Sequence, residues 1–131
     1  MASGEVAQIG QAADSPFTTR ELRHLDEALS TADQVTGLNF SIYLGELEEP
    51  ARAAAEKLHQ QTRAPQTGVL IALSPDQRVL EIVIGSAARR RISDHDAKLA
   101  VFSMTASFSV GDLAGGLLVG IDQLASHAGR A

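Results

Sequence analysis

The sequence predicts an α/β protein, a three-layer α/β/α sandwich around a mixed sheet, and three observations predict it. The stretch "LNFSIYL", Leu38 to Leu44, alternates apolar and polar residues as a strand with one buried face does. The stretch "GVLIALSPDQRVLEIVIG", Gly68 to Gly85, reads as two strands joined by a tight turn, which forces them antiparallel. Capped, amphipathic helical patterns stand before, between and after these strands, so helices can cover both faces of the sheet. The expected core is β-α-β-β, a parallel crossover followed by an antiparallel hairpin, with further helices toward the C-terminus.

Each element has its own signal. Met1 to Ser15 shows no periodicity and reads as a flexible tail, leaving residues 16–131 as a single domain. In "FTTREL" Thr18 can cap a helix while Glu21 reaches back to the cap amide, and Phe17 can pack on Leu22. Leu22, Leu25, Leu29 and Ala32 then recur at helical spacing until Gly37 offers a left-handed end. Pro50 suits the first turn of a second helix with a narrow stripe of Ala51, Ala54, Ala55 and Leu58, which Pro65 stops. Val69 to Leu73 is apolar without alternation, so it belongs in the middle of the sheet, shielded on both faces. The hairpin turn is expected over Ser74-Pro75-Asp76-Gln77, with proline in its second position.

Ser86 to Arg91 predicts a short helical turn. Ser93 caps a longer helix lined by Ala97, Ala100, Val101, Met104 and Phe108, and Asp112 caps a last one lined by Leu117, Ile121, Leu124 and Ala128. Gly116 and Gly120 lie one turn apart on that last helix, which lets it approach a neighbour closely.

Composition narrows the function classes. The chain of 131 residues is 44% hydrophobic, 21% charged and only 4% aromatic, a globular profile whose core rests on aliphatic side chains. A formal charge of -5 argues against a nucleic-acid binder. With no cysteine there is no disulfide, thiolate metal site or thiol nucleophile. No apolar run approaches the roughly 20 residues that cross a bilayer, and the start lacks a secretory pattern, so a cytoplasmic protein without membrane insertion is expected.

Among candidate sites, Arg89, Arg90 and Arg91 form the one dense basic run and suit an anion or an acidic partner, against a plain reading as solvated surface. Asp94-His95-Asp96 carries metal-ligating residue types, but adjacent positions on a helix do not converge, and acids in a first turn also serve the helix end. His24, His59 and His127 are expected on solvent faces. Asp112 can cap its helix or give one oxygen to a hard cation, with Asp14, Glu46 and Asp94 as companions if the loops converge. Hydrolase elbows, phosphate loops and zinc motifs are missing.

From Asp14 onward the order of elements resembles the TPM domain, also known as TPM phosphatase. The resemblance rests on Thr36-Gly37-Leu38, on "GVLIALSPDQRVLEIVIG", on Ile92-Ser93-Asp94, and on "FSVGD" (Phe108 to Asp112) with Gly116 and Gly120. A small cytosolic actinobacterial branch of unknown function is the most similar. The resemblance implies an α/β/α fold in which acids near strand ends bind calcium, a plant relative with acid phosphatase activity, and members tethered to membranes where they assemble or repair membrane complexes. It maps Asp14, Asp94 and Asp112 onto the family's acids. The sequence departs from the pattern at Gly85-Ser86-Ala87-Ala88-Arg89, where arginine replaces an expected acid, and at Ser109 and Leu113. A cation in place of an anion weakens a metal site.

Two function classes follow. The first is a non-catalytic or weakly active module that binds a protein or small anionic partner through Glu46, Ser74, Arg89, Arg90 and Arg91, gathered on one rim and requiring no cofactor. The second is a divalent-metal-dependent, acid-phosphatase-like hydrolase that holds calcium or magnesium with Asp14, Asp94 and Asp112.

Overall fold

A computed structural model describes residues 16–131 in full and the backbone of residues 5–8. The order of elements is β1 (Glu5–Gln8), α1 (Thr19–Thr36), β2 (Asn39–Leu44), α2 (Ala51–Gln60), β3 (Gly68–Ser74), β4 (Val79–Ile84), α3 (Asp94–Ser109) and α4 (Leu113–Ala128), with 3-10 turns at Pro65–Thr67 and Ala88–Arg90. The strands form one sheet in the order β1-β2-β3-β4, in which β1, β2 and β3 run parallel and β4 returns antiparallel.

The β-α-β-β core is therefore present, with one strand more than the sequence predicts. Glu5–Gln8, within the stretch read as a tail, pairs with Ser41 to Leu44 at the sheet edge. Four residues are too few for alternation to register, and an edge strand needs neither a buried face on both sides nor a strong apolar pattern. The Asp14 proposed as a ligand lies outside the described residues.

The helix boundaries follow the caps. Thr18 and Glu21 form the reciprocal capping box of α1, Ser93 and Asp96 form that of α3, and the Asp112 carboxylate accepts from Gly115 N–H to start α4. Gly37 ends α1 with φ 78°, a conformation open to glycine at no steric cost. Two boundaries differ from expectation. Helix α2 stops at Gln60, and Pro65 instead opens the following 3-10 turn. The hairpin turn is shifted by one residue: Ser74 still pairs with Val79, Arg78 N–H donates to Pro75 O, and Arg78 takes φ 57°. Proline thus occupies the first turn position, because the ladder extends one residue beyond the apolar run.

Two cores flank the sheet. On one face α1, α3 and α4 cover Phe40, Ile42, Leu44, Val69, Ile71, Leu73, Ile82 and Ile84. On the other, α2 alone covers a smaller cluster around Tyr43, Leu47, Leu70, Ala72 and Val83. All seven residues of β3 are buried, as its unbroken apolar run predicts. Fully burying one such aliphatic side chain stabilises the fold by about 1.5–3 kcal/mol. On α2, His59 is only 3% exposed, with Nε2 3.1 Å from Gly68 O, rather than on a solvent face. One hydrogen bond makes that burial tolerable.

Helices α3 and α4 pack through the glycines. A Cβ on Gly116 would stand 2.5 Å from Phe108 Cε1, and one on Gly120 would overlap the Met104 thioether. Packing fully explains this glycine pair.

Candidate functional site

Strand direction decides which loops share an end of the sheet. The β2–α2 loop carrying Glu46 and the β3–β4 turn beside Ser74 lie at the carboxyl ends of the parallel strands. Because β4 runs back, its last residue Ile84 pairs with Val69, and Gly85 N–H donates to Gly68 O at 2.8 Å. Arg89, Arg90 and Arg91 therefore stand at the opposite end from Glu46 and Ser74. The single rim expected from the sequence is not formed, and the antiparallel return is the reason. Asp94 and Asp112 are also divided. They sit at the two ends of α3, whose 16 residues span about 24 Å at 1.5 Å per residue, so one ion cannot touch both. Among the described residues no group of three or more acids and histidines could hold a metal ion.

At the Ser74 end the polar groups bond to one another. Gln77 Oε1 accepts from the Leu47 N–H at 2.8 Å and from the Ser74 hydroxyl at 2.7 Å, while Gln77 Nε2 donates to Leu47 O at 2.9 Å. The Tyr43 hydroxyl donates to Glu46 O at 2.7 Å. Burial, and secondarily the Glu46 charge, raises the Tyr43 pKa above its usual 10.0, so this phenol stays protonated at neutral pH.

At the arginine end the three guanidiniums divide. Arg91 is half-buried and donates to Thr36 O at the end of α1 and to Ala128, Gly129 and Arg130 carbonyls at the end of α4. Charged donors there satisfy orphan carbonyls and oppose the negative ends of both helices. Arg89 bonds Ile84 O at 3.1 Å and meets Asp94 at 3.3 Å, with its side chain 48% exposed. Arg90 is exposed and makes no ion pair among the described residues.

Arg89 opens onto a groove of about 340 Å³ between β4 and the first half of α3. Its floor is apolar, with Leu80, Ile82, Ala97 and Val101, and its walls carry Arg52, Arg89 and Lys98 against Glu81 and Asp94. Arg52 reaches across from α2 to Ile82 O at 2.6 Å and pairs with Glu56 and Glu81 at 3.2 and 3.4 Å. These pairs are largely exposed and contribute little to stability. The sequence reading missed Arg52 and Lys98. Lys98 follows Asp94 by one helical turn and Arg52 precedes Glu56 by one, a pattern that looks like ordinary surface pairing until β4 is known to be an edge.

Nearby, Asp96 is held below its usual pKa of 3.8, chiefly by the Ser93 N–H donated to its carboxylate, with smaller help from the His127 and His95 charges. Its Oδ1 lies 3.3 Å from His127 Nδ1.

Among known proteins, the family described as a domain of unknown function (DUF5130) matches residues 2–125. Two uncharacterized proteins of Mycobacterium tuberculosis, from strains CDC 1551 / Oshkosh and ATCC 25618 / H37Rv, are each 34% identical over 111 residues, 85% of this chain. The chain spans 66% of the length of these relatives. Solved structures share the fold. The BA42 protein from the psychrophilic Bizionia argentinensis has TM-score 0.74 at 19% identity, covering 88% of this chain and 83% of that one. The N-terminal domain of a P. gingivalis protein has TM-score 0.78 at 18% identity, covering 93% and 80%. The N-terminal domain of cg2496 protein from Corynebacterium glutamicum has TM-score 0.77 at 13% identity, covering 96% and 80%. At such identities the likeness speaks for the fold alone. The match over nearly the whole chain, together with the mycobacterial kinship, makes this chain a member of the DUF5130 family.

Proposed function

We propose that the chain is a non-catalytic binding module that takes an acidic protein segment or small anion along the groove between β4 and α3. Arg89 and Lys98 would pair with carboxylates while Leu80, Ala97 and Val101 receive apolar side chains. One observation carries this reading: in a chain of net charge -5, exposed cations stand beside an apolar-floored groove at the free edge of the sheet. A broader depression of about 600 Å³ between α1 and α4 lacks that character, since Glu27 and Asp122 offset its Arg130. The reading also takes the chain to be a cytoplasmic relative of TPM domains, on the motifs quoted above. No helix of the described residues is long and apolar enough to cross a membrane.

Amide shifts of labelled protein titrated with a glutamate-rich peptide test it. Saturable shifts over residues 80–84 and 89–98, abolished by Arg89→Met with Lys98→Met, are expected, and the absence of shifts there ends the proposal. The hydrolase alternative needs Asp94 and Asp112 at one ion, against their separation along α3. Calcium- or magnesium-dependent phosphomonoester hydrolysis lost in Asp112→Asn would restore it.

A further inference from the structure

Strand β4 ends the sheet, and its sequence "VLEIVI" has four β-branched residues in six and no proline. With Gly85 N–H bonded to Gly68 O, the antiparallel alternation turns the main chain of Val79, Glu81 and Val83 toward β3. The main chain of Leu80, Ile82 and Ile84 turns outward. Such an edge is self-complementary. A second β4 laid antiparallel about a two-fold axis at Ile82 would set Ile82 against Ile82 and Leu80 against Ile84, and Glu81 would face Val83 rather than its own copy.

The strand itself carries one charge, Glu81, and its outward positions hold neither lysine nor proline. The guards come from outside. Arg52 occupies Ile82 O and Arg89 occupies Ile84 O, two of the three outward carbonyls. A second strand must come within about 4.8 Å to form a ladder, and the guanidiniums fill that space. We infer that Arg52 and Arg89 act as edge guards that keep β4 from pairing with β4 of a second copy of this chain. Each guard is anchored by its own acids, Arg52 by Glu56 and Glu81 and Arg89 by Asp94, all partly or largely exposed. The inference stands whether or not an acidic partner binds the groove.

The test is the Arg52→Met, Arg89→Met double variant, which keeps the aliphatic stems. As protein concentration rises, light scattering should move from the 13.8 kDa of one chain toward twice that value. Hydrogen exchange should slow at the Leu80, Ile82 and Ile84 amides, and dilution should reverse it. The wild type should show no such concentration-dependent slowing. A folded double variant whose β4 amides stay equally open at all concentrations overturns the inference, as does association without protection at these amides. If the double variant does not fold, Arg52→Met alone uncovers the central Ile82 carbonyl. The same two readouts then decide, with dimer and protection supporting the inference and their absence rejecting it.

Discussion

The two ends of the sheet use their polar residues differently. Around Ser74 the polar groups bond within the chain: Gln77 holds Leu47 by both its N–H and its carbonyl, and Tyr43 reaches Glu46 O. At the other end Arg91 is equally committed, to four main-chain carbonyls, while Arg89 stays about half exposed beyond its bonds to Ile84 O and Asp94, and Arg90 faces solvent. A polar residue near a strand end is thus a weak sign of function. A charged residue that the fold does not consume is a stronger one.

Four measurements separate consumed from free groups. The largest effect belongs to Arg91→Met, which strips four carbonyls of a charged donor. Hydrogen bonds to charged groups contribute about 1.5–3 kcal/mol, and a stability loss of about 2–3 kcal/mol in urea unfolding is expected, with peptide titration shifts at 89–98 retained. A loss under about 0.5 kcal/mol, the size of an ordinary surface change, would move Arg91 among the free residues. Next is Gln77→Ala, which leaves the Leu47 amide and carbonyl without their partner. The cost is about 1–3 kcal/mol by the same measurement, and the Leu47 amide should exchange faster. Third is Asp112→Ala, a lost N-cap worth about 1 kcal/mol. A much larger loss would point to a role beyond capping.

The smallest effect is a pH dependence. The folded chain holds Asp96 below its ordinary pKa, so its ionised form stabilises the fold above pH 3.8 and that contribution disappears as pH falls through the lower folded value. Wild type and Asp96→Asn should therefore differ in melting temperature at neutral pH and converge below 3.8. Parallel curves throughout would show that the Ser93 bond does not depend on the charge.

Much of this architecture was legible in the residues. The caps at Thr18, Ser93 and Asp112, the left-handed Gly37 and the buried run Val69 to Leu73 are local or strongly periodic signals, and the structure reproduces them. Strand β1 was not legible, because its four residues gain order from pairing with β2 rather than from their own pattern. Arg89 lines a groove, whereas Glu46 and Ser74 stand at the other end of the sheet, because the antiparallel hairpin returns the chain after β4 to the amino ends of β2 and β3. The division of the arginines depends on where the ends of α1 and α4 meet, which no spacing in the sequence records.

Met104 gives the glycine seam another use. Its sulfur is sealed beneath Gly120, and its side chain has no exposed surface. Oxidation to the bulkier, polar sulfoxide requires peroxide to reach that sulfur, so it proceeds only while α3 and α4 are parted. The rate of sulfoxide formation is therefore a chemical clock for the breathing of this helical hairpin, readable from the mass of the peptide that carries Met104, since Met1 is the chain's other methionine.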